Sequence, residues 1–173
     1  MVNHPKLRII PLGGIDEFGK NITVFEYDKD IIVVDCGSMF PKDDMLGIDL
    51  VIPDASYLVA NKDRVRGYVF THGHEDHIGA IPYVAAQVPA PLYGSRLTMA
   101  LIENKLKEHR VNGVTLNTVV PRQVIQLGCF TVRFIKVTHS IPGAFALAIT
   151  CPVGTVIHTG DFKIDYTPID GRL

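Results

Sequence analysis

Tryptophan is absent and aromatic residues make up only 8% of the 173 positions, so a core must rest on Val, Ile, Leu and Ala. Apolar residues still reach 47%, ample for one domain of this length. There are three cysteines (Cys36, Cys129 and Cys151), an odd count without Cys-x-x-Cys spacing. That excludes a disulfide framework and leaves small buried thiols in a reducing compartment as the expectation. There is no basic excess: 17 Lys and Arg stand against 18 acids, for a formal charge of −1. A nucleic-acid binder working by electrostatics alone is thereby disfavoured, whereas an enzyme that holds phosphates through metal ions is not. No apolar run approaches membrane-spanning length, and the opening residues lack the apolar core of a signal peptide, so a cytoplasmic protein is expected.

The order of elements reads as short strands followed by alternating helices and strands, without repeats. Extended runs are expected at 7–12, 22–27, 31–34 and 68–71, the second and third forming a hairpin through Asp28-Lys29-Asp30. A buried helix is expected over 78–88, with Pro82 in its first turn. A second helix should run from a Ser95 cap to about His109, with Leu97, Ala100, Leu101 and Leu106 inward. Strand-like runs follow at 116–120, 123–127, 130–138, 145–150 and 154–159. This order implies an α/β sandwich of stacked sheets with helices outside. Residues 166–173 are polar and turn-rich, as if the chain stopped in a connection.

The chemistry concentrates in Thr71-His72-Gly73-His74-Glu75-Asp76-His77-Ile78-Gly79. In extended backbone, side chains two apart point the same way, so His72 and His74 can meet one cation. Gly73 is expected to let the backbone bend around it. Asp76 and His77 sit where the buried helix begins and aim differently, so one loop offers ligands to two neighbouring ions. A single ion on His72 and His74 alone is the nearest alternative. Imidazole and carboxylate suit zinc or manganese. The remaining ligands should come from other strand ends: His139 after the run 130–138, and Asp161 after 154–159. A carboxylate can bridge two cations.

Together with Asp35 in Val34-Asp35-Cys36-Gly37, these residues match in order the first four motifs of the metallo-β-lactamase superfamily. Within it, Pro11-Leu12-Gly13-Gly14, Gly19-Lys20-Asn21, the histidine loop, His139-Ser140-Ile141-Pro142 and Thr159-Gly160-Asp161-Phe162-Lys163 resemble ribonuclease J. The resemblance covers essentially the whole chain. It implies the αββα fold, with residues 1–173 as the N-terminal portion of the lactamase domain. The β-CASP insert, the later lactamase-fold strands and the C-terminal domain have no counterpart. It further implies two divalent ions, zinc or manganese. His72, His74 and His139 would hold one, Asp76 and His77 the other, with Asp161 bridging and Asp35 orienting the histidine loop without touching an ion. Asp76, His77 and Asp161 would be the catalytic residues. The implied activity of the complete enzyme is RNA phosphodiester hydrolysis, both internal and 5′-to-3′, in mRNA decay and rRNA maturation, by a cytoplasmic homo-oligomer. The second ion lacks a later histidine here, so its site is expected to be incomplete.

Two positions depart from the family pattern: Gly143 stands where an acid usually follows Ser-Ile-Pro, and Asp16 where glycine is commoner. Competing readings are thioester or lactam hydrolysis on the same fold, and a metal-binding fragment without turnover. His158 reads as a packed strand residue, His4 and His109 as surface residues, Glu75 as an exposed neighbour of the site, and 105–110 as a solvated helix end.

Overall fold

A computed structural model of the chain describes residues 5–167, so His4 and most of the 166–173 tail lie outside the described residues. Two sheets stack face to face. The first has six strands: β1 (Arg8–Gly13), β2 (Ile22–Tyr27), β3 (Asp30–Val34), β4 (Val65–Val69), β5 (Leu92–Gly94) and β6 (Leu116–Thr118). β1, β2 and β3 are antiparallel neighbours, whereas β3 to β6 run parallel. The second is an antiparallel sheet of β7 (Val124–Leu127), β8 (Phe130–Lys136), β9 (Phe145–Cys151) and β10 (Gly154–His158), in the order β10-β9-β8-β7.

The all-buried β3 sequence Asp-Ile-Ile-Val-Val follows from this layering, since both faces of its sheet are covered. Val24, Ile31 and Val33 pack towards the helices with Tyr68, Ile81 and Ile102. The alternate residues Phe25, Ile32 and Val34 meet Phe130, Phe134 and Leu147 of the second sheet. The cysteines are free, Cys36 and Cys151 being buried. No helix among the described residues is long and apolar enough to cross a membrane.

The helices depart from expectation in three ways. The buried helix over 78–88 is two short ones, α2 (Glu75–Ile78) and α3 (Ile81–Ala85), with Pro82 in the first turn of the latter. A side chain at Gly79, between them, would run into Ser38 Oγ and the Glu75 carbonyl, so the chain bends where it must pass close. In α4 (Arg96–Glu108) Ser95 caps the Thr98 amide as expected, but the buried face is Thr98, Met99, Ile102 and Leu106. Leu97 and Ala100 face solvent and Leu101 is only half-buried. The short α1 (Ser56–Ala60) and a 3₁₀ turn (Lys62–Arg64), which carry the β3–β4 crossover, have no clear sequence periodicity.

Asp35, the histidine loop, His139 and Asp161 follow the C-terminal ends of β3, β4, β8 and β10 respectively. β8 and β10 both pair antiparallel with β9, so their C-terminal ends lie at the same rim. Ligands in open parallel sheets gather at that end too.

Candidate metal centre

Loop-to-loop hydrogen bonds fix where these ends meet. The Asp35 amide donates to the Val69 carbonyl at 3.0 Å and the Cys36 amide to that of His77 at 2.8 Å, joining the β3 end to the histidine loop. The Phe145 amide donates to the Thr71 carbonyl at 2.8 Å, and Lys163 to Thr138 at 2.8 Å, tying in the His139 and Asp161 loops. Gly160 has φ +56°, and a Cβ there would lie 2.8 Å from the Phe145 carbonyl oxygen, so only glycine lets this loop close over Thr71. Gly73 also makes room for packing: its missing side chain admits Leu101 of α4, whose Cδ1 would lie 2.8 Å from a Cβ. Gly143 has φ +79° and lies against Ser95, so the acid common in the family would be both strained and crowded here. Asp16, at φ +58°, occupies a left-handed position that glycine favours and Asp tolerates.

His72, His74 and His139 converge on one point. His72 Nε2 lies 3.0 Å from His74 Nδ1, which lies 3.2 Å from His139 Nε2. Nitrogens held about 2.05 Å from a tetrahedral zinc stand about 3.4 Å apart, so each of these two pairs is within a few tenths of an ångström of a coordination shell. Asp161 sits beside it. Its Oδ2 is 3.7 Å from His139 Nε2 and 3.6 Å from His77 Nε2, which puts one oxygen between the two groups. The Asp161 side chain is 47% exposed and so open to solvent. His72, His77 and Asp161 form a second cluster, so fully buried His72 borders both. Asp76 joins neither triplet and meets His77 Nε2 through Oδ2 at 3.5 Å.

Asp35 makes no contact with the converging nitrogens and instead sets their protons. It is buried at φ +59° and accepts from the Thr71 amide, the Thr71 hydroxyl and His77 Nδ1, each at 2.8 Å. Because the Thr71 proton goes to the carboxylate, its oxygen accepts from His72 Nδ1 at 3.0 Å. Both imidazoles thus carry hydrogen on Nδ1 and turn the Nε2 lone pair inward, the tautomer a cation requires. Thr71 and Asn21, whose amide nitrogen touches Asp76 and His77, are partners that local sequence reading did not supply. Their one signal is adjacency: Thr71 precedes the first histidine, and Asn21 ends a glycine-rich motif.

Other residues refine the picture. Glu75 is exposed and pairs with Lys105 at 2.7 Å, so the helix end 105–110 is not wholly solvated but strapped to the histidine loop. His109 is exposed, as expected. His158 is half-buried, accepts from the Gly160 amide at 3.2 Å, and lines a cavity of about 220 Å³ with His77, Asp35 and Asp161.

The histidines titrate in opposite directions. Burial, reinforced by the charge of His77, lowers the His72 pKa from 6.5 to about 3. Burial also lowers that of His139, against the pull of Asp161. For His77 burial is outweighed by the charge and hydrogen bond of Asp35, and its pKa rises. Between pH 6.5 and 3 the unfolded chain takes a proton that folded His72 refuses, so stability falls as pH falls. The slope approaches 1.4 kcal/mol per pH unit, or about 2 kcal/mol by pH 5. The His77 contribution is complete below its unfolded pKa and is lost as pH rises through its raised folded value. Asp35 is held below the ordinary carboxylate range (burial opposes this but His77 prevails), so its contribution disappears only at still lower pH. In chelator, the denaturant midpoint should therefore peak near pH 6.5, and His72→Gln should flatten the acid limb. A midpoint that is level or rising from pH 6.5 to 5 would contradict this.

A family model described as the metallo-beta-lactamase superfamily matches residues 15–173. Among curated relatives, the chain is 52% identical to ribonuclease J of Synechocystis over 96% of its length, covering 27% of that protein. It is 45% identical to ribonuclease J of Thermus thermophilus, again over 96% of its length, covering 30%. The chain thus spans less than a third of these relatives and matches their N-terminal part. Among solved structures, a metallo-beta-lactamase fold protein of Bacillus subtilis superposes with a TM-score of 0.64 at 24% identity, over 91% of this chain and 63% of that one. The short form of human tRNase Z gives 0.61 at 15% identity, over 88% and 68%. At such identities these two likenesses concern the fold alone.

Proposed function

The chain belongs to the metallo-β-lactamase superfamily, and from that premise we propose that it is the N-terminal, metal-binding part of a ribonuclease J-type enzyme that hydrolyses RNA phosphodiester bonds. The observation that carries this reading is the convergence of His72, His74 and His139 with Asp161 Oδ2 lying between them and His77. High identity to ribonuclease J relatives over nearly the whole chain supports RNA over other substrates of the fold. In this reading His72, His74 and His139 hold one divalent ion, Asp76 and His77 a second, and Asp161 both. Such ions, zinc or manganese, supply an acidified water near neutral pH and positive charge against the scissile phosphate. Asp35 and Thr71 keep the Nε2 lone pairs of His77 and His72 aimed at the centre. The complete enzyme would act in the cytoplasm on 5′ ends and internal bonds, with its β-CASP and remaining lactamase-fold segments orienting the strand.

Orientation can account for several kcal/mol of a barrier, and the second site has fewer protein ligands than the first. The 173-residue chain should therefore bind nearer one ion than two and cut RNA only slightly above background. A side-by-side assay of 5′-monophosphorylated RNA, a chromogenic lactam and a thioester, with and without metal, tests both points. Metal-dependent cleavage confined to RNA and lost in chelator is the expected result. Preferential lactam or thioester hydrolysis would overturn the substrate assignment, and robust RNA turnover would overturn the expected dependence on further segments.

A further inference from the structure

We propose that Asn21 is a positioning residue that holds the Asp76 carboxylate and the His77 ring converged on the place of the second ion. The inference rests on the two-ion reading above and concerns a residue to which that reading gives no role. Asn21 immediately precedes β2, and its Nδ2 lies 3.0 Å from the Asp76 carbonyl oxygen, 3.2 Å from Asp76 Oδ2 and 3.2 Å from His77 Nε2. One amide nitrogen thus touches both ligands, at the atoms they would turn to a cation. A residue that merely fastened two loops would need only the carbonyl contact. Its backbone already does that: the Asn21 amide donates to the Asp76 carbonyl at 3.0 Å, and the Asn21 carbonyl accepts from Gly37 at 2.9 Å.

The orientation of the carboxamide is determined by its surroundings. Asp35 takes the proton on His77 Nδ1, so neutral His77 presents a lone pair at Nε2. Turned the other way, the Asn21 oxygen would face that lone pair, a carboxylate oxygen and a carbonyl oxygen, with no donor among them. The NH₂ group therefore points inward and the oxygen away, which excludes Asn21 as a ligand itself. The space for that oxygen comes from Gly14, at φ +81°, where a Cβ would lie 2.6 Å from Asn21 Oδ1. The motifs Gly13-Gly14 and Gly19-Lys20-Asn21 thereby acquire a shared purpose. With an ion in place the His77 Nε2 lone pair would no longer be free to accept from Asn21, whereas the contact with Asp76 Oδ2 could persist.

The test uses ¹⁵N-labelled wild-type chain, Asn21→Ala and Asn21→Asp, the last keeping shape but offering no N–H. In metal-free protein, at a pH above the His77 titration, the His77 Nε2 resonance should carry the signature of a hydrogen-bonded acceptor. In Asn21→Ala it should move towards that of an unbonded imine nitrogen, and in Asn21→Asp it should likewise lose the acceptor signature, the added carboxylate favouring a proton on Nε2 instead. In a zinc titration of wild type and Asn21→Ala, the tighter ion should bind equally, while binding reported by His77 weakens about 10-fold in the variant, because Asp76 loses the contact that would persist beside the ion. Should Asn21→Ala fail to fold, the near-isosteric Asn21→Asp decides through the metal-free resonance. If wild type binds zinc but the His77 resonance is the same in all three chains, the role of Asn21 is overturned and the metal reading stands. If wild type binds no zinc, the metal reading falls and this inference with it.

Discussion

Replacing His74 by alanine should cost the tighter ion at least about 100-fold in affinity. A four-ligand zinc site is worth about 10–16 kcal/mol, roughly 2.5–4 kcal/mol per ligand, and each 1.4 kcal/mol is about a factor of ten. His74 is the apt position because its Nδ1 is the nitrogen that His72 and His139 both approach, at 3.0 and 3.2 Å. It is also only half-buried, so truncation leaves no large cavity, unlike truncation of fully buried His72. Competition with a calibrated chelator measures the loss, and exposed His109→Ala provides the control. Equal affinity in wild type and His74→Ala would move the ion elsewhere.

Gly37→Ala should be the most damaging glycine-to-alanine substitution among the described residues, destabilising the chain by more than about 3 kcal/mol. A single methyl there would overlap the Asp76 carbonyl group and crowd the His77 amide. Neither can yield easily. The Asp76 carbonyl accepts from Asn21 and the His77 carbonyl from Cys36, so displacing α2 breaks the seam that aligns Asp76 and His77. Gly113→Ala provides the contrast: at φ +82° with nothing within 4 Å, it bears only backbone strain, about 1 kcal/mol. Denaturant unfolding of both variants measures the difference. A Gly37→Ala chain as stable as Gly113→Ala would mean that α2 does not lie against the β3 end as described.

The residues that gather at the rim were legible because the histidine loop signals locally. His72 and His74 alternate in extended backbone, whereas His139 and Asp161, ordinary loop residues when taken alone, became candidates only beside that loop and through the family motifs they match. What stayed hidden depends on partners far along the chain. Asn21 meets Asp76 across 55 positions and Thr71 meets Asp35 across 36, and neither is distinguished by composition. The phase of α4 was misread because Thr98, a polar residue, takes an inward place where Ser95 Oγ satisfies its hydroxyl at 2.9 Å. Apolar periodicity assigns such a position to the solvent side. The break between α2 and α3 is partly tertiary, since Gly79 is short of space against Ser38 Oγ as well as against the Glu75 carbonyl. Strand ends shifted by a residue or two, and β4 begins at Val65 rather than Tyr68 because Arg66, its one partly exposed residue, reaches out to pair with Asp30 at 2.6 Å.

Zinc K-edge absorption fine structure on the chain loaded with one equivalent of zinc tests the central claim most directly. The account predicts three imidazole nitrogens at about 2.0–2.1 Å, completed by oxygen, with no sulfur in the shell. His74→Ala should then show one imidazole fewer or no ordered site. A shell containing sulfur from Cys36, Cys129 or Cys151, or one with a single imidazole, would contradict a metal centre built from His72, His74 and His139.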